Sequence, residues 1–136
     1  MPNMEQLKHF FNDRDRYAVH NGIRVVEVSP GKAVTRMKVE EQHLNGVGTV
    51  QGGAVFTLAD LAFSAAVNSH GTVAVAINVS ITFIKAAAAG TLYAHAVETT
   101  KNPKLATCDI RVVNEEDELI ATFQGLAYRK KESLPL

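Results

Sequence analysis

The stretch Gln51-Gly52-Gly53-Ala54-Val55-Phe56-Thr57-Leu58-Ala59-Asp60-Leu61-Ala62-Phe63-Ser64-Ala65-Ala66-Val67-Asn68-Ser69 decides how this chain folds. It is rich in Ala, Leu and Phe, lacks proline, and suits a helix of roughly four to five turns. His70-Gly71 ends it, with Gly71 placed to cap the helix in left-handed backbone. Everything after Gly71 reads as strand: Thr72 to Ile84, Thr91 to Thr100, Leu105 to Val113 and Leu119 to Arg129. The breaks at Ala89-Gly90, Asn102-Pro103 and Asn114 to Glu118 are short, which predicts that successive strands are antiparallel neighbours. Upstream, Ile23 to Val28 and Lys32 to Val39 flank Ser29-Pro30-Gly31 as a hairpin. Before that, Leu7, Phe10 and Phe11 recur at helical spacing, so Asn3 to Tyr17 is expected to be a helical lead-in within residues 1–20. The order α-β-β-α-β-β-β-β predicts an α+β fold, a long central helix wrapped by one antiparallel sheet.

Composition narrows the function classes. The 136 residues are 46% hydrophobic and 21% charged, the balance of one globular domain over 1–136. Lys plus Arg is 14 and Asp plus Glu is 14. With no basic excess, binding to nucleic acid through phosphates is not expected. Cys108 is the single cysteine, so no internal disulfide marks the chain as secreted. Met1 to Phe10 contains Glu5 and Lys8 and does not read as a signal peptide. Leu61 to Ile84 lacks charge but holds Asn68, Ser69, His70 and Asn78, which are costly in lipid. A soluble, cytoplasmic protein without a membrane partner is expected. His9, His20, His70 and His95 show no metal-ligand spacing, and there is no phosphate or dinucleotide loop, so neither metal nor cofactor is expected.

Asp60 is the one formally charged side chain from Gln42 to Ile84. Asp is a poor helix former and expensive to desolvate, so an Asp there is neutralised, paired or used. At about 100° per residue, Gly53, Thr57, Ser64 and Asn68 fall within roughly 80° of it, a narrow stripe of small and polar residues. Three readings fit: a carboxylate lining a cleft, a buried Asp that fixes packing, or an Asp that points at water on a helix edge. The paired glycines at the helix start are the second feature. Free N–H groups there, with the helix dipole, favour a developing negative charge such as a polarised carbonyl. Gly52 and Asp60 lie about 12 Å apart along one helix, too far to touch one carbonyl. They can share a substrate only when Asp60 comes from a second subunit with its helix antiparallel, as a two-fold dimer supplies.

Asn45-Gly46-Val47-Gly48-Thr49-Val50-Gln51-Gly52-Gly53 through Leu58-Ala59-Asp60, continued by Ala62 to Ser69 and by Ile81-Thr82-Phe83-Ile84-Lys85, resembles the hotdog-fold acyl-CoA thioesterases, specifically the PaaI-like phenylacetate-pathway subgroup. The resemblance spans roughly Val25 to Tyr128. It implies the hotdog fold and a homodimer or dimer of dimers. It implies an acyl-CoA substrate, with CoA entering as part of the substrate. It assigns Asp60 as nucleophile or general base, Gly52 N–H of the other subunit as the donor to the thioester carbonyl, Asn45 as a holder of carbonyl or water, and Ser64 as helper to the acid. One departure stands out. The residue before the double glycine is commonly His in the subgroup and is Gln51 here, which hydrogen-bonds but carries no proton near neutral pH.

Gly53, Thr57 and Asn78 are further candidates for substrate contact, with Phe56, Phe63 and Val55 as apolar walls for an acyl or aryl group. Lys85, Lys101, Lys104, Arg129 and Lys130 are candidate cations for CoA phosphates, although solvated strand ends are the plainer account of each. His43, near Asn45, reads more readily as a loop or capping residue, and Cys108 as a core residue. A non-catalytic acyl-CoA-binding protein is the alternative, favoured by Gln51 and opposed by Asp60. A hydratase is a weaker third reading, because Gln51 removes the histidine such enzymes pair with the acid.

Overall fold

The computed structural model describes residues 2–136, so Met1, at the start of the expected lead-in, lies outside the described residues. The lead-in is two helices: α1, Met4–Arg14, and α2, Arg16–His20. Asn3 caps α1 by accepting the N–H groups of Glu5 and Gln6 at 2.8 and 3.3 Å. Asp15 then breaks the helix. Its own N–H closes α1 on Phe11 O, while its carboxylate accepts Ala18 N–H at 3.1 Å and starts α2.

Six strands form one antiparallel sheet: β1 Ile23–Ser29, β2 Lys32–Lys38, β3 Thr72–Phe83, β4 Thr91–Lys101, β5 Leu105–Val113 and β6 Leu119–Ser133. The central helix α3 runs Gly52–Asn68, and Gly71 beyond it has φ +97°. The strand order is β1-β2-β4-β5-β6-β3. This corrects one expectation: β3 and β4 are not neighbours. β3 pairs with β6 at the far edge, and β4 lies between β2 and β5. The cause lies in residues 84–90, which make no hairpin turn. Ile84 and Lys85 donate to Ile120 O at 2.8 and 3.1 Å, Ala87 O accepts Val50 N–H at 2.7 Å, and Gly90 O accepts Val39 N–H at 2.8 Å. The segment thus crosses the end of the sheet with its backbone groups satisfied along the way.

The sheet wraps α3 closely because α3 buries small residues. Ala59, Ala62, Ala65 and Ala66 are buried beside Leu58, against Val25, Met37, Leu92, Ala94, Ile110 and Val112 of the sheet. Thr35 ties the layers by donating its hydroxyl to Leu58 O at 2.7 Å. A Cβ on Gly125 of β6 would lie 2.6 Å from Phe63 Cζ, so only glycine admits that ring. No helix among the described residues is long and apolar enough to cross a membrane.

The two sheet edges are finished differently. Along β1, Asn12 of α1 stands in for a strand: its Nδ2 donates to Val25 O at 2.9 Å and its Oδ1 accepts Val25 N–H at 2.8 Å. A register shift between Val25 and Glu27 twists that edge further. Along β3, Val75, Ile77 and Phe83 are 41, 55 and 55% exposed, and Ile84 just beyond is 54% exposed.

Candidate active site

The start of α3 is organised by Asn45 and Gln51. Asn45 closes a loop on Thr49: its Oδ1 accepts the N–H groups of Val47 and Thr49 at 3.0 and 3.1 Å, and its Nδ2 donates to Thr49 Oγ1 at 2.9 Å. Gln51 is the N-cap of α3, with Oε1 accepting Gly53 N–H at 2.5 Å. Among the described residues, the Gly52 N–H has no acceptor. Gly52 lines a cleft of about 330 Å³ together with Val50, Val55, Phe83, Ile84, Lys85 and Ile120. An unpaired N–H at a helix N-terminus is a donor for an oxyanion.

Asp60 lies two turns further along α3, in a separate cleft of about 230 Å³ with Phe63, Ser64, Val67, Ala74, Val75 and Ala76. Its carboxylate has no hydrogen-bond or ion-pair partner among the described residues and is half-buried. Burial, and after it the charge of Asp15, push its carboxyl above the ordinary 3.8. An unpaired, partly desolvated carboxylate beside a hydroxyl and apolar walls is suited to accept a proton or attack an electrophile.

One protomer does not bring the expected residues together. Asp60 and Ser64 share one cleft, and Gly52 and Val55 another. Gln51, Gly53 and Thr57 line a third with Tyr17 and His43. Thr57 returns its hydroxyl to Gly53 O at 2.8 Å. Phe56 packs edge-on against Phe123, with ring centroids 5.4 Å apart, and lines none of these clefts. Phe63 is buried but reaches the Asp60 cleft. Asn78 is exposed on β3. Asn68, the far end of the polar stripe, is buried and pairs with the backbone of Ala74, donating to its O at 3.1 Å and accepting its N–H at 2.8 Å.

The candidate cations separate. Lys85 sits at the Gly52 cleft and is paired with Glu118, whose carboxyl is held down chiefly by its hydrogen bonds to Lys85 and Asn114. Lys104 lies in the β4–β5 turn, where its carbonyl accepts Arg129 N–H at 2.6 Å. Arg129 is buried: it donates to Val67 O at 3.0 Å and faces Glu98 at 3.7 Å, so it is a structural cation. His43 is buried in a capping box, accepting Glu40 N–H at Nδ1 and bonded through Nε2 to Asn21 O at 2.6 Å. Burial pushes the Cys108 thiol up to about 12, which removes it as a nucleophile. Among the described residues no group of three or more His, Cys, Asp and Glu is placed to hold a metal. Sequence reasoning did not single out Thr49, Glu118 or Asp15. The Asn45–Thr49 spacing carries a loop signal, whereas Glu118 is distant in sequence from the Lys85 it meets.

The fold and this arrangement define a class of protein, and comparison with known proteins agrees. Residues 47–121 match the model of the thioesterase superfamily. The chain is 41% identical over 133 residues to a protein of Archaeoglobus fulgidus, covering 97% of this chain and 86% of that one. It is 37% identical to the acyl-coenzyme A thioesterase PaaI of Escherichia coli, covering 91% and 89% of the two chains. The solved structure of that E. coli PaaI protein superposes with a TM-score of 0.91 at 35% identity, covering 95% and 94%. The chain belongs to the thioesterase superfamily, with the hotdog fold, and groups with the PaaI-like acyl-CoA thioesterases.

Proposed function

We propose that this protein hydrolyses acyl-CoA thioesters to the free acid and CoA in a site shared by two subunits. The observation that carries this reading is the position of the two clefts on β3. The Asp60 cleft abuts Ala74–Ala76, near one end of the strand, and the Gly52 cleft abuts Phe83 and Ile84 at the other. β3 is also the edge that is apolar, exposed and not covered by a side-chain plug. Two copies paired antiparallel along β3 about a two-fold axis near Val79 set Val75 of one across from Phe83 of the other. Asp60 of one chain then faces Gly52 of the partner subunit, and the dimer carries two such sites.

In this site the thioester oxygen accepts the Gly52 N–H, which strengthens as negative charge develops on that oxygen. Asp60 either attacks the carbonyl carbon or takes a proton from a water that attacks it. Collapse of the tetrahedral adduct breaks the C–S bond. The electron pair leaves with sulfur as the CoA thiolate, an easy leaving group that needs no strong general acid. Where Asp60 itself attacks, the acyl–Asp60 anhydride so formed is then opened by water, which releases the free acid and restores the carboxylate. Ser64 helps to hold the water beside Asp60. Gln51 fixes the helix start through Gly53 N–H, and Asn45 acts through the Thr49 loop. Neither role requires a proton, so Gln51 in place of the family's common histidine is compatible with turnover. Lys85 at the mouth of the Gly52 cleft is the favoured partner for CoA phosphate. The apolar linings of the two clefts, Phe63, Val67 and Ala74 in one and Val55, Phe83 and Ile120 in the other, suit an apolar acyl or aryl group. The cytoplasm is the proposed location.

The test is thiol release from a panel of acyl- and aryl-CoA esters by wild type and Asp60→Asn. Turnover by wild type, reduced by several powers of ten in the variant, supports the reading. No turnover of any ester, with equal ester binding by both proteins, overturns it and leaves a CoA-ester binding protein.

A further inference from the structure

We propose that Glu118, in the turn between β5 and β6, sets the affinity for CoA esters: its carboxylate occupies the Lys85 ammonium, and a CoA phosphate must displace it. This rests on the acyl-CoA reading proposed above, in which Lys85 receives a phosphate. Among the described residues, Lys85 is the one polar side chain in the lining of the Gly52 cleft, which is otherwise glycine, alanine and larger apolar residues such as Val55, Phe83 and Ile120. Its ammonium is paired with Glu118 Oε2. Its backbone N–H donates to Ile120 O at 3.1 Å, so the long side chain moves while its root stays fixed. No other cation lines this cleft, so whatever occupies Lys85 decides whether the cleft offers a positive charge at all.

Glu118 is held in place by Asn114. Its Oε1 accepts Asn114 Nδ2 at 2.9 Å, its N–H donates to Asn114 Oδ1 at 2.9 Å, and its carbonyl accepts Asn114 N–H at 3.1 Å. The same Asn114 Oδ1 accepts Glu116 N–H at 3.0 Å, and Asn114 O accepts Asp117 N–H at 3.1 Å. One carboxylate oxygen is thus committed to the turn and the other to Lys85. A carboxylate already fixed loses little further side-chain freedom by holding a lysine. The pair is also half exposed, at 51 and 47%. Exposed pairs are worth little, so a phosphate oxygen can take the ammonium over. Lysine serves either anion as a point charge and needs no fixed geometry to change partners. The other acids of the turn are placed differently. Glu115 Oε1 accepts Thr91 N–H at 3.0 Å, and Glu116 and Asp117 are exposed without an ion-pair partner among the described residues.

The test uses Glu118→Gln, which keeps an oxygen for Asn114 Nδ2 and removes the charge. Binding is read by calorimetric titration with CoA and with pantetheine, which carries the same thiol arm without the phosphates. The expected result is a CoA Kd about threefold lower in Glu118→Gln, the range an exposed ion pair supplies. The KM for CoA esters falls with it, and the Kd for pantetheine stays at the wild-type value. Glu116→Gln, which removes a charge from the same turn without touching Lys85, should bind CoA as wild type does. In a Lys85→Met background, Glu118→Gln should no longer tighten CoA. An unchanged CoA Kd in Glu118→Gln overturns the proposal. So does an equal gain in Glu116→Gln, with pantetheine, or in the Lys85→Met background, since each would replace competition for Lys85 with a general effect of charge. If wild type binds CoA but hydrolyses no ester, the hydrolytic reading fails while the titrations still decide the role of Glu118. CoA that binds none of these proteins overturns both.

Discussion

Asn12 and Val25 are joined by two hydrogen bonds, side-chain amide to backbone N–H and C=O, at 2.8 and 2.9 Å. This pair occupies the edge of β1 as a neighbouring strand would. β3, at the opposite edge, presents Val75, Ile77 and Phe83 to solvent. A sheet with one plugged edge and one open apolar edge has a single direction in which to pair with a copy of itself. A charge in the middle of that edge is predicted to block pairing. Ile77→Lys should sediment as the 14.7 kDa monomer and lose turnover, while wild type sediments at a multiple of that mass. An Ile77→Lys dimer with full activity would contradict the pairing.

Gly125 and Phe63 test the packing of helix on sheet. Gly125→Ala puts a methyl carbon 2.6 Å from the Phe63 ring, which cannot leave because α3 and Phe123 enclose it. Overpacking of this kind costs about 1–3 kcal/mol, or several degrees in Tm. Adding Phe63→Leu should recover part of the loss. Equal Tm values for wild type and Gly125→Ala by calorimetry would show that the ring moves freely.

The helix α3, its start at Gly52 and the isolation of Asp60 are legible in sequence because they depend on local periodicity and on one charge in an apolar run. The expectation of one helical lead-in from Asn3 to Tyr17 misses its split at Asp15, which stands three residues before the Ala18 N–H it caps. The place of β3 is not legible. Ala89-Gly90 looks like a turn, and only distant backbone partners, Ile120 at Ile84 and Lys85, Val50 at Ala87 and Val39 at Gly90, draw residues 84–90 across the sheet. The fit of Phe63 onto Gly125 and the pairing of Lys85 with Glu118 likewise join residues far apart in sequence. Such matches depend on register, which no local pattern reports.

Glu98 and Arg129 are a buried pair, each side chain 8% exposed. Glu98 Oε2 and Arg129 Nε and Nη2 have no hydrogen-bond partner. Removing one partner strands the other charge, at a cost of about 3–5 kcal/mol, whereas replacing both with apolar residues is close to neutral. Glu98 Oε1 also meets His70 Nε2 at 2.9 Å, so Glu98→Met should shift the urea midpoint sharply down, and Glu98→Met with Arg129→Met should restore only part of it. Additive losses in the double variant would refute this.

Asp60 has a proton affinity raised on folding, first by burial and then by Asp15. The folded protein then binds that proton more tightly than the unfolded chain. Stability is lost as pH rises from about 3.8 through the raised folded value, and the cost stays constant above it. Asp60→Asn removes the cost. It should raise Tm at neutral pH, by about 4 °C for each kcal/mol relieved, with the advantage vanishing below pH 3.8. A variant that melts lower than wild type at pH 7 would mean that Asp60 is paired and stabilising.

The central claim is that each site takes Asp60 from one chain and the Gly52 N–H from the other. Gly52→Pro removes that N–H at the first helical position, where the φ of proline fits while its Cβ meets the Phe83 ring at 3.1 Å, and Asp60→Asn removes the carboxylate. Each variant alone should be inactive in thiol release. Unfolded together in equal amounts and refolded, half of the dimers carry one chain of each kind. Each of these holds one intact site, so about a quarter of wild-type activity returns. A mixture that forms mixed dimers yet stays inactive would contradict a shared site.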